Sequence, residues 1–172
     1  MKDGGRLAAA IEVLTEVETR HRPVQLALKD WGSAHRFAGS GDRTVIGNLV
    51  FDALRNKASL GARMKDGSAR AVVLATYCLS WGKGLQALSD ILEQDHHAPA
   101  ALSADEIACL SQEPDSTPSP FEQADIPEWL WPHFETVFGE SAIAEGQALA
   151  TRAPVDMRTN TLKSDRDKVL KR

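Results

Sequence analysis

Between Gly5 and Thr19 the apolar residues Leu7, Ala10, Ile11, Leu14 and Val17 recur three and four positions apart, which predicts a helix with one buried stripe. Pro23 suits the first turn of a second helix running from Val24 to about Trp31, and Gly32 suits its end. Gly39, Ser40 and Gly41 then make a tight connection, with Ser40 or Asp42 able to cap a third helix. The buried face of that helix is Ile46, Leu49, Val50, Ala53 and Leu54. Gly47 inside it costs about 1 kcal/mol relative to Ala, so another backbone is expected to approach closely there. Ser68 can cap a strongly apolar helix from Ala71 to Leu79, and a segment apolar on nearly every side belongs at the centre of a bundle. Gly82-Lys83-Gly84 turns into a further helix, Leu85 to about Leu92.

Downstream the pattern changes. Residues Asp95 to Leu102 read as a loop, and Ser103-x-x-Glu106 is a capping box opening a short helix through Leu110. Residues 111–120 carry Pro114, Pro118 and Pro120 with no apolar period, which marks a linker. A helix is expected from Pro127 to near Gly139, and another from Glu140 to Arg152. After Pro154, residues 155–163 read as a strand and Ser164 to Leu170 opens a helix. A single strand cannot satisfy its edges, so the expectation is the front piece of a longer protein. The fold class is mainly α: a helical bundle over residues 1–97, a linker with a short helix over 98–125, and over 126–172 a helical connector leading into the first strand and helix of a truncated α/β domain.

Composition narrows this further. Aromatic content is 6% and β-branched runs are scarce, which argues against an all-β chain. Cys78 and Cys109 lie in apolar helical sequence and read as buried free thiols rather than a disulfide framework. The first residues lead into a helix with charges inside it, unlike a signal peptide. The longest apolar run, near Ala71 to Tyr77, is too short to span a bilayer, so a soluble, cytoplasmic protein is expected. Net charge is −4, but it is unevenly spread. Residues 1–70 hold 12 Lys/Arg against 8 Asp/Glu, residues 71–150 hold 1 against 13, and residues 151–172 hold 7 against 3. Basic ends flank an acidic middle, and because screening acts over about 8–10 Å, a local basic patch can still meet RNA.

Two stretches resemble a known family. Pro127, Trp129 and Leu130, then Phe138, Gly139 and Glu140, then Arg158, Asn160, Thr161, Leu162 and Lys163 follow in order and at about the spacing of the P-x-W-L, Y/F-G-x-E and R-x-N-T-L-K elements. These elements precede the catalytic domain of the NOL1/NOP2/Sun RNA cytosine-C5 methyltransferases. Upstream, the stretch from Asp42-Arg43 through Leu49-Val50 to Leu54-Arg55 is similar to a run of NusB-like domains. The branch most like this chain is the bacterial one acting on small-subunit ribosomal RNA. The resemblance implies a NusB-like RNA-binding domain of five to seven helices, ribosomal RNA as partner, a monomer without metal, and S-adenosylmethionine as cofactor of the parent enzyme only.

The chemistry of that enzyme is not found in these residues. Cytosine-C5 methylation needs a thiolate that adds to C6 of the base, and neither Cys78 nor Cys109 has a nearby cation to stabilise one. Gly39-Ser40-Gly41 and Gly82-Lys83-Gly84 follow no expected strand, so neither reads as a methyl-donor loop, and no cofactor is expected in this fragment. Asp95-His96-His97 reads as an exposed polar loop rather than a metal site. What remains is electrostatic: Arg20 and Arg22 at a helix end, Arg36 and Arg43 flanking the glycine turn, and Arg55, Lys57, Arg63 and Lys65 along the third helix and its exit. These can grip phosphates, or form a solvated face complementing helix dipoles. Arg158, Asn160 and Lys163 carry the family motif and stand open between RNA contact and a structural role. The chain alone is therefore expected to dock RNA without catalysing. A stand-alone NusB-like antitermination-type factor and a helical protein-interaction module are the other classes.

Overall fold

A computed structural model gives the fold and describes residues 1–112 and 117–170. The described residues are mainly helical and contain no β-strand. Helix α1 (Asp3–Arg20) is the axis of the bundle, burying Leu7, Ala10 and Leu14 as its stripe predicts and Val13 besides, while Ile11 and Val17 of the expected stripe are half-buried. Helices α2 (Val24–Ala34), α3 (Ser40–Arg55) and α5 (Ala69–Ala75) pack around it. Ser68 caps α5 by accepting from the Ala71 N–H at 3.2 Å, and every side chain from Ala71 to Ala75 is buried. Helix α6 (Leu85–Gln94) closes the bundle with Leu88 and Leu92. Helix α7 (Ala104–Ser111) opens with the expected capping box at Ser103 and Glu106.

Ion pairs fix the register of α1 against α3. At one end Arg6 donates twice to Asp42 Oδ1, at 3.0 and 2.7 Å, while the Met1 amine reaches Asp42 Oδ2 at 3.1 Å. At the other end Lys57 Nζ lies 2.7 Å from Glu18. The two helices therefore run side by side in the same direction. Asp42 is thereby committed to α1 and Ser40 is helical, so Gly39 stands at the N-cap where a Ser40 or Asp42 cap was expected.

Other expectations are corrected. The third helix stops at Arg55, and after Asn56 a separate helix α4 (Lys57–Met64) carries Lys57 and Arg63. Gly47 does not admit a backbone: a Cβ there would meet only Leu28 Cδ1 at 3.8 Å. At Gly4 it is side chains that press close, where a Cβ would meet Asp95 Oδ2 at 2.6 Å. The helix expected to reach Leu79 widens into a π turn over Thr76–Ser80. Here Thr76 turns its hydroxyl onto the Val72 carbonyl at 2.7 Å, Tyr77 reaches Asp3, and Trp81 just beyond reaches Asp52.

The second half docks on α4. Part of the expected linker is helix α8 (Pro120–Gln123), with Pro120 in its first turn and Glu122 Oε2 accepting from the Ser119 N–H at 2.7 Å. Residues 113–116 of that linker, and residues 171–172, lie outside the described residues. Helix α8 ends in a Schellman turn: the Ile126 N–H bonds Phe121 O at 3.0 Å, the Asp125 N–H bonds Glu122 O at 3.2 Å, and Asp125 takes φ 53°. Helices α9 (Trp131–Phe138) and α10 (Ala142–Ala150) follow as a hairpin, each preceded by a short 3-10 turn. Gly146 presses α10 onto the α8 turn, since a Cβ there would lie 2.5 Å from Ala124 O.

The strand expected over residues 155–163 does not form, because no described segment offers it a ladder. Asn160 Oδ1 instead accepts from the Leu162 N–H at 3.1 Å, and the Asn160 carbonyl accepts from Lys163 and Ser164, so the segment turns back on itself. Helix α11 (Arg166–Leu170) does form after it.

Candidate functional site

The basic residues singled out by sequence divide by partner and by place. Arg22 is spent: it donates to Glu16 at 2.6 Å and to Asp30 at 2.5 Å, which raises its own pKa through those two hydrogen bonds, Asp30 first. Arg20 lies 3.7 Å from the same Glu16, and Lys57 is held by Glu18. Arg55 pairs with Asp52 at 2.9 Å and lies 6.0 Å from the Phe51 ring centre. Arg63 is half-buried, its Nε shielded from solvent and without a hydrogen-bond partner.

Arg36 and Arg43 stand at the opposite end of α3, since Arg43 and Arg55 are twelve residues apart on one helix, about 18 Å. Arg43 lies along Gly32 and donates from Nε to Ala38 O at 2.9 Å. Arg36 is exposed and carries no hydrogen bond or ion pair among the described residues. The α2–α3 end and the α1–α4 end are thus two separate basic places rather than one stripe. Arg158, Asn160 and Lys163 are exposed on the terminal turn and join neither.

Beside Arg36 lies a cleft that periodicity did not announce. Trp31, His35 and Phe37 line one side, and α1 with the turn at Asp95, His96 and His97 lines the other. The cavity measures about 580 Å³. His35 stacks on Trp31 with ring centres 4.3 Å apart, and Phe37 stands edge-on to His35 at 5.7 Å. Trp31 Nε1 donates to Glu12 Oε2 at 2.9 Å. His35 Nδ1 lies 2.9 Å from the Trp31 carbonyl, which can only accept, so Nδ1 carries the proton and Nε2 is left as acceptor in the neutral ring. Asp95, read from sequence as part of an exposed loop, bonds the His97 N–H at 3.0 Å and sits against Gly4 at the start of α1. The His97 N–H is the largest cause holding its carboxylate below the usual range.

Two carboxylates missed by sequence reasoning join the halves of the molecule. Asp52 is buried on α3, where it accepts from Arg55, from Trp81 Nε1 at 2.9 Å, and from both Nε and a terminal nitrogen of Arg152. Burial alone would raise its pKa, but the Arg152 and Trp81 hydrogen bonds and the charges of Arg152 and Arg55 hold it below the usual carboxylate value. Asp125 accepts from the Ser59 N–H at 2.8 Å and from Ser59 Oγ at 2.7 Å, capping the first turn of α4 from across the fold. Burial outweighs those bonds and lifts Asp125 above the ordinary range. The sequence signal available was a carboxylate within each apolar run, Asp52 between Phe51 and Ala53 and Asp125 between Ala124 and Ile126.

The cysteines sit as helical packing residues: Cys78 is buried, its thiol pushed up by burial, and Cys109 is half-buried on α7. Among the described residues no three His, Cys, Asp or Glu side chains converge as metal ligands would, and no helix is long and apolar enough to cross a membrane. Compared with protein-family models, with curated proteins and with solved structures, the chain gives no match.

Proposed function

We propose that this chain is the RNA-docking module of an S-adenosylmethionine-dependent ribosomal RNA cytosine-C5 methyltransferase of the NOL1/NOP2/Sun type. In this reading α1–α6 form a NusB-like domain, and residues 126–172 belong to the connector and the opening of an α/β domain whose partners lie outside this sequence. The observation that carries it is where the motif-bearing segment is tethered. Asp125, two residues before Pro127, clamps α4, and Arg152, six residues before Arg158, clamps Asp52 on α3. Between and beyond those clamps Trp129 is 76% exposed and Leu162 95% exposed. Motif residues that pack on nothing here suit contact with a further domain. The helical placement of both cysteines agrees with a chain that docks substrate while the nucleophile and the methyl donor sit elsewhere. Such a module raises the effective concentration of the target base at the catalytic site.

Binding of a ribosomal RNA fragment, measured across a salt series, tests the reading. Affinity should fall on a log–log slope of about −0.7 per phosphate neutralised on single strands. Arg36→Glu combined with Arg43→Glu should weaken binding and flatten that slope, with the helical circular dichroism retained. Unchanged affinity removes the α2–α3 end from the docking surface. Absence of salt-dependent binding removes the RNA reading itself, for the methyltransferase module and for a stand-alone antitermination-type factor alike. A protein-interaction module is the second reading, favoured by Val137, 74% exposed on α9, together with Trp129 and Leu149.

A further inference from the structure

We infer that the cleft beside Arg36 is a binding site for one unpaired nucleobase of an RNA strand. The inference rests on the RNA-docking reading and gives it a second, non-electrostatic component. Sequence-tolerant recognition of single strands needs an exposed aromatic face for the base and a cation for the adjoining phosphate. Phe37 supplies the face: it is 71% exposed, and its contact with His35 is edge-on, which leaves the ring free to stack. Arg36 supplies the cation, next in sequence and unpaired among the described residues.

The cleft behind Phe37 has room for a planar ring and its attached sugar. Its volume of about 580 Å³ falls within the usual span of small-ligand sites, about 300–1,000 Å³. Polar groups also converge on it. Glu12 spends Oε2 on Trp31, and its Oε1 has no partner among the described residues, so it can accept from an exocyclic amino group. His35 Nε2 offers a second acceptor, its tautomer set by the Trp31 carbonyl. The other carboxylate of the lining, Asp95, holds the His97 N–H through Oδ1, while its Oδ2 is buried against Gly4 without a hydrogen-bond partner among the described residues. An unpaired base uses the aromatic face, the acceptors and the cation together. A base pair buried in a duplex can use none but the cation.

The test uses the full chain and a fluorescein-labelled single-stranded hexaribonucleotide of mixed sequence, followed by anisotropy. Phe37→Ala should weaken binding about 5- to 150-fold, the range found when one stacking aromatic is removed. The salt slope should not change, because no phosphate contact is lost. Phe37→Trp should keep the affinity, and its fluorescence should be quenched on binding. Arg36→Gln should weaken binding while lowering the slope by about 0.7. The same hexamer annealed to its complement should be indifferent to Phe37→Ala. Wild-type affinity in Phe37→Ala, together with a loss in the Arg36→Glu, Arg43→Glu chain, overturns the base site and leaves the docking reading intact. No binding of the hexamer by the wild-type chain at about 50 mM salt overturns both.

Discussion

Two glycines in helix interiors should respond in opposite senses to the same added methyl group. Replacing Gly by Ala in a helix gains about 0.5–1 kcal/mol from the lost backbone freedom of the unfolded chain, provided the methyl has room. At Gly47 it has room, since the only neighbour is a leucine methyl at an ordinary 3.8 Å. Gly47→Ala should therefore stabilise the bundle by about that amount. At Gly146 the same methyl would sit 2.5 Å from Ala124 O and 2.6 Å from Ala124 Cβ. Neither atom belongs to a flexible side chain, so α10 must back away by roughly 0.5–0.9 Å, and close-packed interiors transmit such a shift instead of absorbing it. Overpacking of this kind costs about 1–3 kcal/mol, which leaves a net loss of up to about 2.5 kcal/mol after the helix gain is set against it.

Native-state hydrogen exchange separates the two. In Gly146→Ala the amides of α10 should lose protection by up to about 70-fold while those of α1 and α5 hold, because α10 docks on α8 rather than on the core. In Gly47→Ala the midpoint of urea unfolding should rise with the slope unchanged. If Gly146→Ala also stabilises, the α8–α10 contact is not formed in solution, and the argument that the motif-bearing half is clamped to the bundle loses its packing basis.

The clamp at Asp52 should be acid-labile. Its carboxylate is held below the ordinary value in the folded chain, so the stability it provides is present above the unfolded pKa and fades as pH falls through the folded one, a window below about pH 4. Asp52→Asn at neutral pH should cost about 1–2 kcal/mol and change Trp81 fluorescence; an unaltered spectrum would show that the indole is not bonded there. Tyr77 is the only tyrosine, and burial with the hydrogen bond to Asp3 pushes its hydroxyl up to about 12, so phenolate absorbance should appear only near that pH and earlier in Asp3→Asn. Since the folded value exceeds the unfolded one, Tyr77 should contribute stability that is lost as pH rises from about 10 toward it. A titration midpoint at the ordinary value would contradict the Tyr77–Asp3 contact. A thiol reagent at neutral pH should modify Cys109 ahead of Cys78, whose thiol is buried and raised; equal rates would place Cys78 at the surface.

Hydrophobic period made the bundle legible. The stripe from Leu7 to Leu14 and the Ser103 capping box match the helices they predict, and the apolar run after Ser68 does so as far as Ala75, because burial of one face and satisfaction of terminal N–H groups are local demands. What escaped depends on partners far along the chain. Nothing at Asn56 marks the break between α3 and α4 as Gly or Pro would, and the first turn of α4 is completed by Asp125, 66 residues from Ser59. Helix α8 did carry a local signal, Ser119-x-x-Glu122 with Pro120 in the first turn, but the density of prolines around it favoured a linker.

The electrostatic reading divides into two ends for one reason. A count of arginines measures charge, whereas binding needs charge that is not already compensated, and compensation is decided by which acidic residue the fold brings alongside. Glu16 and Glu18 project from the last turns of α1 and meet Arg20, Arg22 and Lys57, so that end offers a phosphate little net attraction. At the other end Asp42 is consumed by Arg6 and the N-terminal amine, and Arg36 and Arg43 carry no ion pair among the described residues. Asp42 is the nearest acidic neighbour of Arg43 along the chain and stands six residues from Arg36, as Asp30 does. Arg6→Ala should thus free Asp42 to compete for the α2–α3 end and weaken RNA binding without touching a docking residue; affinity unchanged in that variant would mean that the uncompensated charge at this end does no binding.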